Sequence, residues 1–102
     1  MNADAPYLRH GTYAALDDVS FRILAGDDWI TATLVEVSEP LMRGTMTAFS
    51  VIFRTEPLDD AVQDVYTLEH AELGRFDLLL VPVGRTSDGE VELQATFSTI
   101  EE

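Results

Sequence analysis

The sequence contains no cysteine and no lysine. Without cysteine there is no disulfide and no Cys-based zinc or iron–sulfur site. That absence fits a reducing compartment. All basic charge rests on six arginines, Arg9, Arg22, Arg43, Arg54, Arg75 and Arg85, set against 19 carboxylates, for a formal net charge of −13. Such a chain repels a phosphate backbone, and no basic run offsets the repulsion. Nucleic acid is therefore excluded as a partner, and an anionic membrane surface is disfavoured for the same reason. The acidity serves solubility, or else it meets a basic partner.

Long apolar runs are missing as well. No stretch approaches the roughly 18 residues of a membrane-spanning helix. The opening residues Met1-Asn2-Ala3-Asp4-Ala5-Pro6 have neither the basic nor the apolar region of a signal peptide. The expected product is a soluble chain in the cytoplasm, or in a particle assembled there.

Catalytic signatures are equally scarce. There is no P-loop, no dinucleotide-binding glycine pattern and no His-Glu-x-x-His stretch. None of Ser20, Ser38, Ser50, Ser87 and Ser98 lies in a Gly-x-Ser-x-Gly elbow. The acidic pairs Asp17-Asp18, Asp27-Asp28 and Asp59-Asp60 lack the alternating ligands and distal Glu of a calcium loop. They read as turn residues that cap backbone N–H groups and face water. His10 and His70 are the only histidines. Glu69 and His70 are neighbours on a strand and point to opposite faces, which weakens them as a ligand pair. His70 is expected to pack or hydrogen-bond at a strand end. The chain reads as a non-enzyme with no cofactor and no metal. An enzyme using His70 or His10 as general base is the third-ranked reading.

What is present describes a small β protein. The 102 residues, 46% apolar and 25% charged, make one domain over 1–102. Residues 1–8 read as an arm. His10 to Asp18 holds a short helical turn, with Thr12 as N-cap and Tyr13 and Leu16 on one face. Val19 to Leu24 and Trp29 to Val37 read as a hairpin across the turn Ala25-Gly26-Asp27-Asp28. The second of these alternates imperfectly, as expected of a strand covered on both sides or near a barrel seam. Residues 38–46 read as a loop, 47–54 as a strand, 55–61 as an acidic loop and 62–70 as a strand. Arg75 to Val83 carries the run Leu78-Leu79-Leu80-Val81 and reads as buried on both faces. Val91 to Ser98 alternates cleanly after the Asp88-Gly89 turn, and 99–102 form an acidic tail. The expected fold is all-β, about six antiparallel strands in a small sandwich or partly closed barrel, with a short N-terminal helical turn.

Phe49, Phe53, Tyr66, Phe76 and Phe97 fall at core spacing. Trp29 beside a turn, Leu41, Met42 and Met46 in the 38–46 loop, and Leu58 in the acidic loop are the candidate interface residues. The competing reading of the loop residues is a plug for one end of a barrel.

The stretch Tyr66-Thr67-Leu68-Glu69-His70-Ala71-Glu72-Leu73-Gly74, followed by Leu78-Leu79-Leu80-Val81-Pro82-Val83-Gly84, resembles a small uncharacterised bacterial domain family. Leu34-Val35-Glu36-Val37, Phe49 to Arg54 and Gln94-Ala95-Thr96-Phe97 also fit, so the resemblance covers about residues 12–98. This chain departs from that pattern at Ala71, where proline is common, and in its acidic 55–64 loop. The resemblance implies structural roles: a turn at Gly74, core packing by Leu68 and Leu80, and an end to inter-strand pairing at Pro82. It carries no catalytic residues, and it implies a phage-tail-like or other assembly setting. The expected function is a protein-interaction or assembly module, with a protein partner or a second copy of itself engaged through strand edges and the 38–48 and 55–64 loops. The alternative is a small-ligand binding barrel whose mouth is lined by Trp29, Tyr13 and Tyr66.

Overall fold

The computed structural model describes residues 10–58 and 61–100. The expected arm, the Asp59-Asp60 pair and the last two residues lie outside it. One short helix, α1 (His10–Ala14), precedes seven strands: β1 (Ser20–Ala25), β2 (Asp28–Val37), β3 (Leu41–Arg43), β4 (Met46–Pro57), β5 (Asp64–His70), β6 (Gly74–Arg85) and β7 (Glu90–Ile100). The sheet order is β2-β1-β5-β6-β7-β4-β3, and β2 also pairs with β4. That last pairing closes β1, β2, β4, β7, β6 and β5 into an antiparallel barrel, with β3 as an extra strand outside the closure. Of the two expected architectures, the barrel is the one that forms.

The closure explains the irregular alternation of β2. Ala32 and Leu34 point inward and Val35 outward, and a register shift between Leu34 and Glu36 then leaves Glu36 outward as well. A bulge bends a strand and increases its twist, and closing a barrel this narrow requires both. β7 needs no such device: Val91, Leu93, Ala95 and Phe97 all point inward, as their spacing predicts.

Two hairpins turn on two residues each, Gly26-Asp27 and Gly44-Thr45. Both glycines have positive φ (65° and 60°), and among the described residues no other residue type does. Glycine at the first central position is what a type II′ turn demands. A Cβ at Gly26 would meet nothing within 4 Å, so its penalty is conformational alone. Gly26→Ala is expected to lose about 1 kcal/mol in urea unfolding, with no change in the circular dichroism of the folded state.

Eight-stranded barrels already have interiors that side chains fill, and six strands enclose less. Here Phe21, Ile23, Val51, Phe53, Leu68, Leu80, Val91 and Leu93 occupy the inside, each at most 2% exposed. Two aromatic groups anchor it. Tyr13 carries α1 onto Phe97 (5.6 Å) and Phe49 (6.2 Å), and the two phenylalanines stack at 4.7 Å. Phe21 meets Phe53 at 5.0 Å, His70 at 4.6 Å and Phe76 at 6.5 Å.

Several elements differ from expectation. Leu79 is 51% exposed, because β6 alternates and among the described residues no second layer covers the barrel wall there. The 38–46 loop contains β3, β4 continues through Glu56 to Pro57, and β7 takes in Thr99 and Ile100. Thr12 lies inside α1 and is not its cap. Pro82 sits beyond Leu80, the last β6 residue paired with β5, so its missing N–H leaves no gap in that ladder, while β6 itself runs on to Arg85 against β7.

Candidate functional site

Three of the residues expected at an interface come together. Leu41 and Met42 on β3 and Met46 at the start of β4 form one hairpin, and they are 59%, 66% and 44% exposed. β3 pairs only with the first residues of β4, and among the described residues nothing pairs with its other edge. In a two-residue hairpin the flanking residues, here Arg43 and Met46, exchange both backbone hydrogen bonds. Met42, one position on, therefore directs its N–H and C=O away from β4 toward the open edge.

Leu58 is not part of this surface. It packs partly buried against the core, and its carbonyl accepts from Arg85 at 2.7 Å. Trp29 lies at the opposite end of β2 from the link to β3, on the outer wall of the barrel. There the guanidinium of Arg22 stands 5.1 Å from its ring centroid, and that of Arg75 stands 5.2 Å away. Register explains the gathering: Arg22 is opposite Glu69, and Glu69 is opposite Arg75, so the three form one outward-facing row across β1, β5 and β6. The Glu69 carboxylate reaches Arg75 at 3.0 Å and Arg22 at 3.6 Å. A groove of about 640 Å³ opens beside them, with β1 as its floor and Thr31, Thr33, Glu69 and Arg75 along its walls.

Arg54 behaves differently. Glu92 accepts from it at 2.7 Å, and this hydrogen bond raises the guanidinium's pKa above its ordinary value. A raised pKa keeps the pair intact below the ordinary arginine value and loosens it only as pH rises through the folded-state value, so it is constant across the physiological range.

The two histidines are held by backbone. His70 is 3% exposed, and Asp18 O lies 2.7 Å from its Nε2. The amides of Glu72 and Leu73 donate to its Nδ1 at 3.0 and 3.3 Å. An atom that accepts two N–H groups carries no proton, so Nε2 is the protonated nitrogen and donates to Asp18. Neither ring nitrogen is left to act as a general base. His10 Nε2 lies 3.0 Å from Ser38 O, and its ring meets Phe49 edge-on. Asp18 itself caps the Ser20 amide at 2.9 Å, as its place in a turn predicts. Among the described residues no group of three or more His, Asp or Glu is placed to hold a metal, and no helix is long and apolar enough to cross a membrane.

The proposed barrel mouth does not assemble. Tyr13 is buried at 2%, Tyr66 is buried with its hydroxyl donating to Val62 O, and Trp29 stands outside.

A family model described as a domain of unknown function, DUF6916, matches residues 4–97. The chain belongs to the DUF6916 family. No curated protein and no solved structure matches it. The match runs from before α1 into β7, so the whole barrel and the β3 extension are DUF6916 structure. Sequence reasoning located the exposed hairpin residues of this DUF6916 chain but missed the Arg22–Trp29–Arg75 group. Part of that group was legible. The Gly26 turn sets Leu24 opposite Trp29, which makes Arg22 and Trp29 diagonal neighbours on one face. Arg75 comes from β6 and joins through β5, a pairing that no local signal announces.

Proposed function

We propose that this chain is a non-enzymatic protein-assembly module that adds an extended segment of a partner protein to the open edge of β3. One observation carries the reading: a short strand outside the barrel closure, unpaired on one side among the described residues, with Leu41, Met42 and Met46 exposed around it. Strand addition takes its affinity from main-chain hydrogen bonds and its specificity from side chains flanking the edge. A net charge of −13 makes self-association costly at low salt and favours a neutral or basic partner. The sequence resemblance adds the setting of a phage-tail-like particle, in which this chain is an accessory subunit.

The test is Met42→Pro. Proline removes the outward N–H and loses no bond to β4, so folding stability is expected to change by less than about 1 kcal/mol. The wild-type chain, purified from its native lysate, is expected to retain a protein that Met42→Pro does not. In that complex the Met42 amide should exchange with solvent more slowly than in the free chain. Equal retention by both forms, or an unchanged Met42 exchange rate in the complex, would rule out strand addition at β3.

A further inference from the structure

The outer wall of the barrel carries a second feature, unrelated to the hairpin. Exposed ion pairs contribute little to folding, and the side chains of Arg22 and Arg75 are 54% and 63% exposed. Yet the two guanidiniums are brought to the same indole, the only tryptophan in the chain. Two cations share one carboxylate, Glu69, so these three side chains carry one net positive charge; the next carboxylate, Glu56 of β4, is held on the side of Thr31 away from Arg22 by the Thr31 amide and hydroxyl at 2.7 and 3.1 Å. The Arg22 guanidinium makes no hydrogen bond to another described residue: its contact with Glu69, at 3.6 Å, is an ion pair only. Its donors are thus held in place by Trp29 and left without an acceptor, at the edge of a groove.

The groove has the volume of a small-molecule site. Its lining is mostly apolar and includes Ala71, the inward-facing Phe21 and Ala32 lie beneath its floor, and the hydroxyls of Ser20 and Thr33 add polar points, while that of Thr31 is already given to Glu56 at 3.1 Å. Asp18, bound to the Ser20 amide, stands at the end away from Arg22 and repels an anion there. A ligand is therefore directed with its charge toward the arginines and its apolar body along β1. One uncompensated positive charge suits a monoanion better than a dianion, and the planar guanidinium fork matches a carboxylate. We propose that this groove binds a small organic monocarboxylate with an apolar body, its carboxylate on Arg22 and Arg75 and its apolar part on the floor formed by β1.

The single tryptophan makes the test direct. Titration of the full chain with octanoate is expected to change Trp29 fluorescence saturably, at a Kd of about 0.1–1 mM. Amide shifts in an NMR titration should concentrate at Ser20–Arg22 and Thr31–Thr33. Arg22→Gln is expected to weaken binding about 10-fold or more, through loss of a charged hydrogen-bond donor. Arg43→Gln makes the same charge change on the β3–β4 hairpin and should bind like the wild type. Thermal unfolding of both variants confirms that they are folded. Any of four results would overturn the proposal: no saturable response to octanoate, equal weakening by the two arginine variants, 1-octanol binding as tightly as octanoate, or inorganic phosphate doing so.

Discussion

Phe53→Ala is expected to lower folding stability by about 3–5 kcal/mol, a large share of the roughly 5–15 kcal/mol available to a domain of this size. Phe53 is fully buried. It stands where β4 pairs on both sides, opposite Leu34 of β2 and opposite Leu93 of β7. It is thus at the seam that closes the barrel, next to the bulge that permits closure. Its ring meets Phe21 of β1 edge-on at 5.0 Å and 72°, a contact inside the barrel that joins β4 to β1 past the intervening β2. Truncation loses the transfer energy of the ring and leaves a cavity that a closed barrel cannot collapse to fill. The melting temperature should fall by more than about 10 °C. Ile52→Ala, the next residue and only partly buried, removes a side chain from the outer wall and should lose much less. Near-equal losses for the two variants would contradict the alternation of β4, in which Val51 and Phe53 are buried inside and Ile52 between them is not.

His70→Ala is the second large effect, about 2–4 kcal/mol. Three backbone groups lose their partner at once: the Asp18 carbonyl and the Glu72 and Leu73 amides. The imidazole thereby ties the entry to β1 to the β5–β6 turn, two segments more than 50 residues apart in sequence (|i−j| = 52 for the His70–Asp18 bond). The ring also fills space beside Phe21 at 4.6 Å. Packing and hydrogen bonding can be separated. His70→Phe keeps a ring against Phe21 and removes the hydrogen bonds, so it should recover only part of the loss. Both variants should speed amide exchange at Glu72 and Leu73, since those N–H groups lose their acceptor. A His70→Phe variant as stable as the wild type would show that the three hydrogen bonds contribute nothing net.

The two proposals also differ in how far each was readable before the fold. Exposure of Leu41, Met42 and Met46 follows from apolar residues placed among Pro40 and Gly44. That they lie on a strand edge does not follow, because a three-residue strand has too little pattern to register as one. Leu58 shared their composition signal and went the other way. It packs partly buried against the core, and Arg85 holds its carbonyl. Trp29 looked like an interface residue by type, and its surroundings depend on two arginines that reach it from β1 and β6.

By itself the sequence determined the strands that alternate cleanly, the glycine turns, the absence of cysteine and lysine chemistry, and the burial of His70 at a strand end. Each of these is local: period-two patterning, a positive φ or a residue type is legible within a few positions. Tertiary structure alone decided that the sheet closes through β2 and β4, that Leu79 faces outward, and that Arg22, Glu69 and Arg75 share one row beside a groove. These depend on which strand pairs with which and in what register. A shift of one residue reverses every side chain's face, so long-range pairing, which no short stretch of sequence encodes, sets where the surfaces lie.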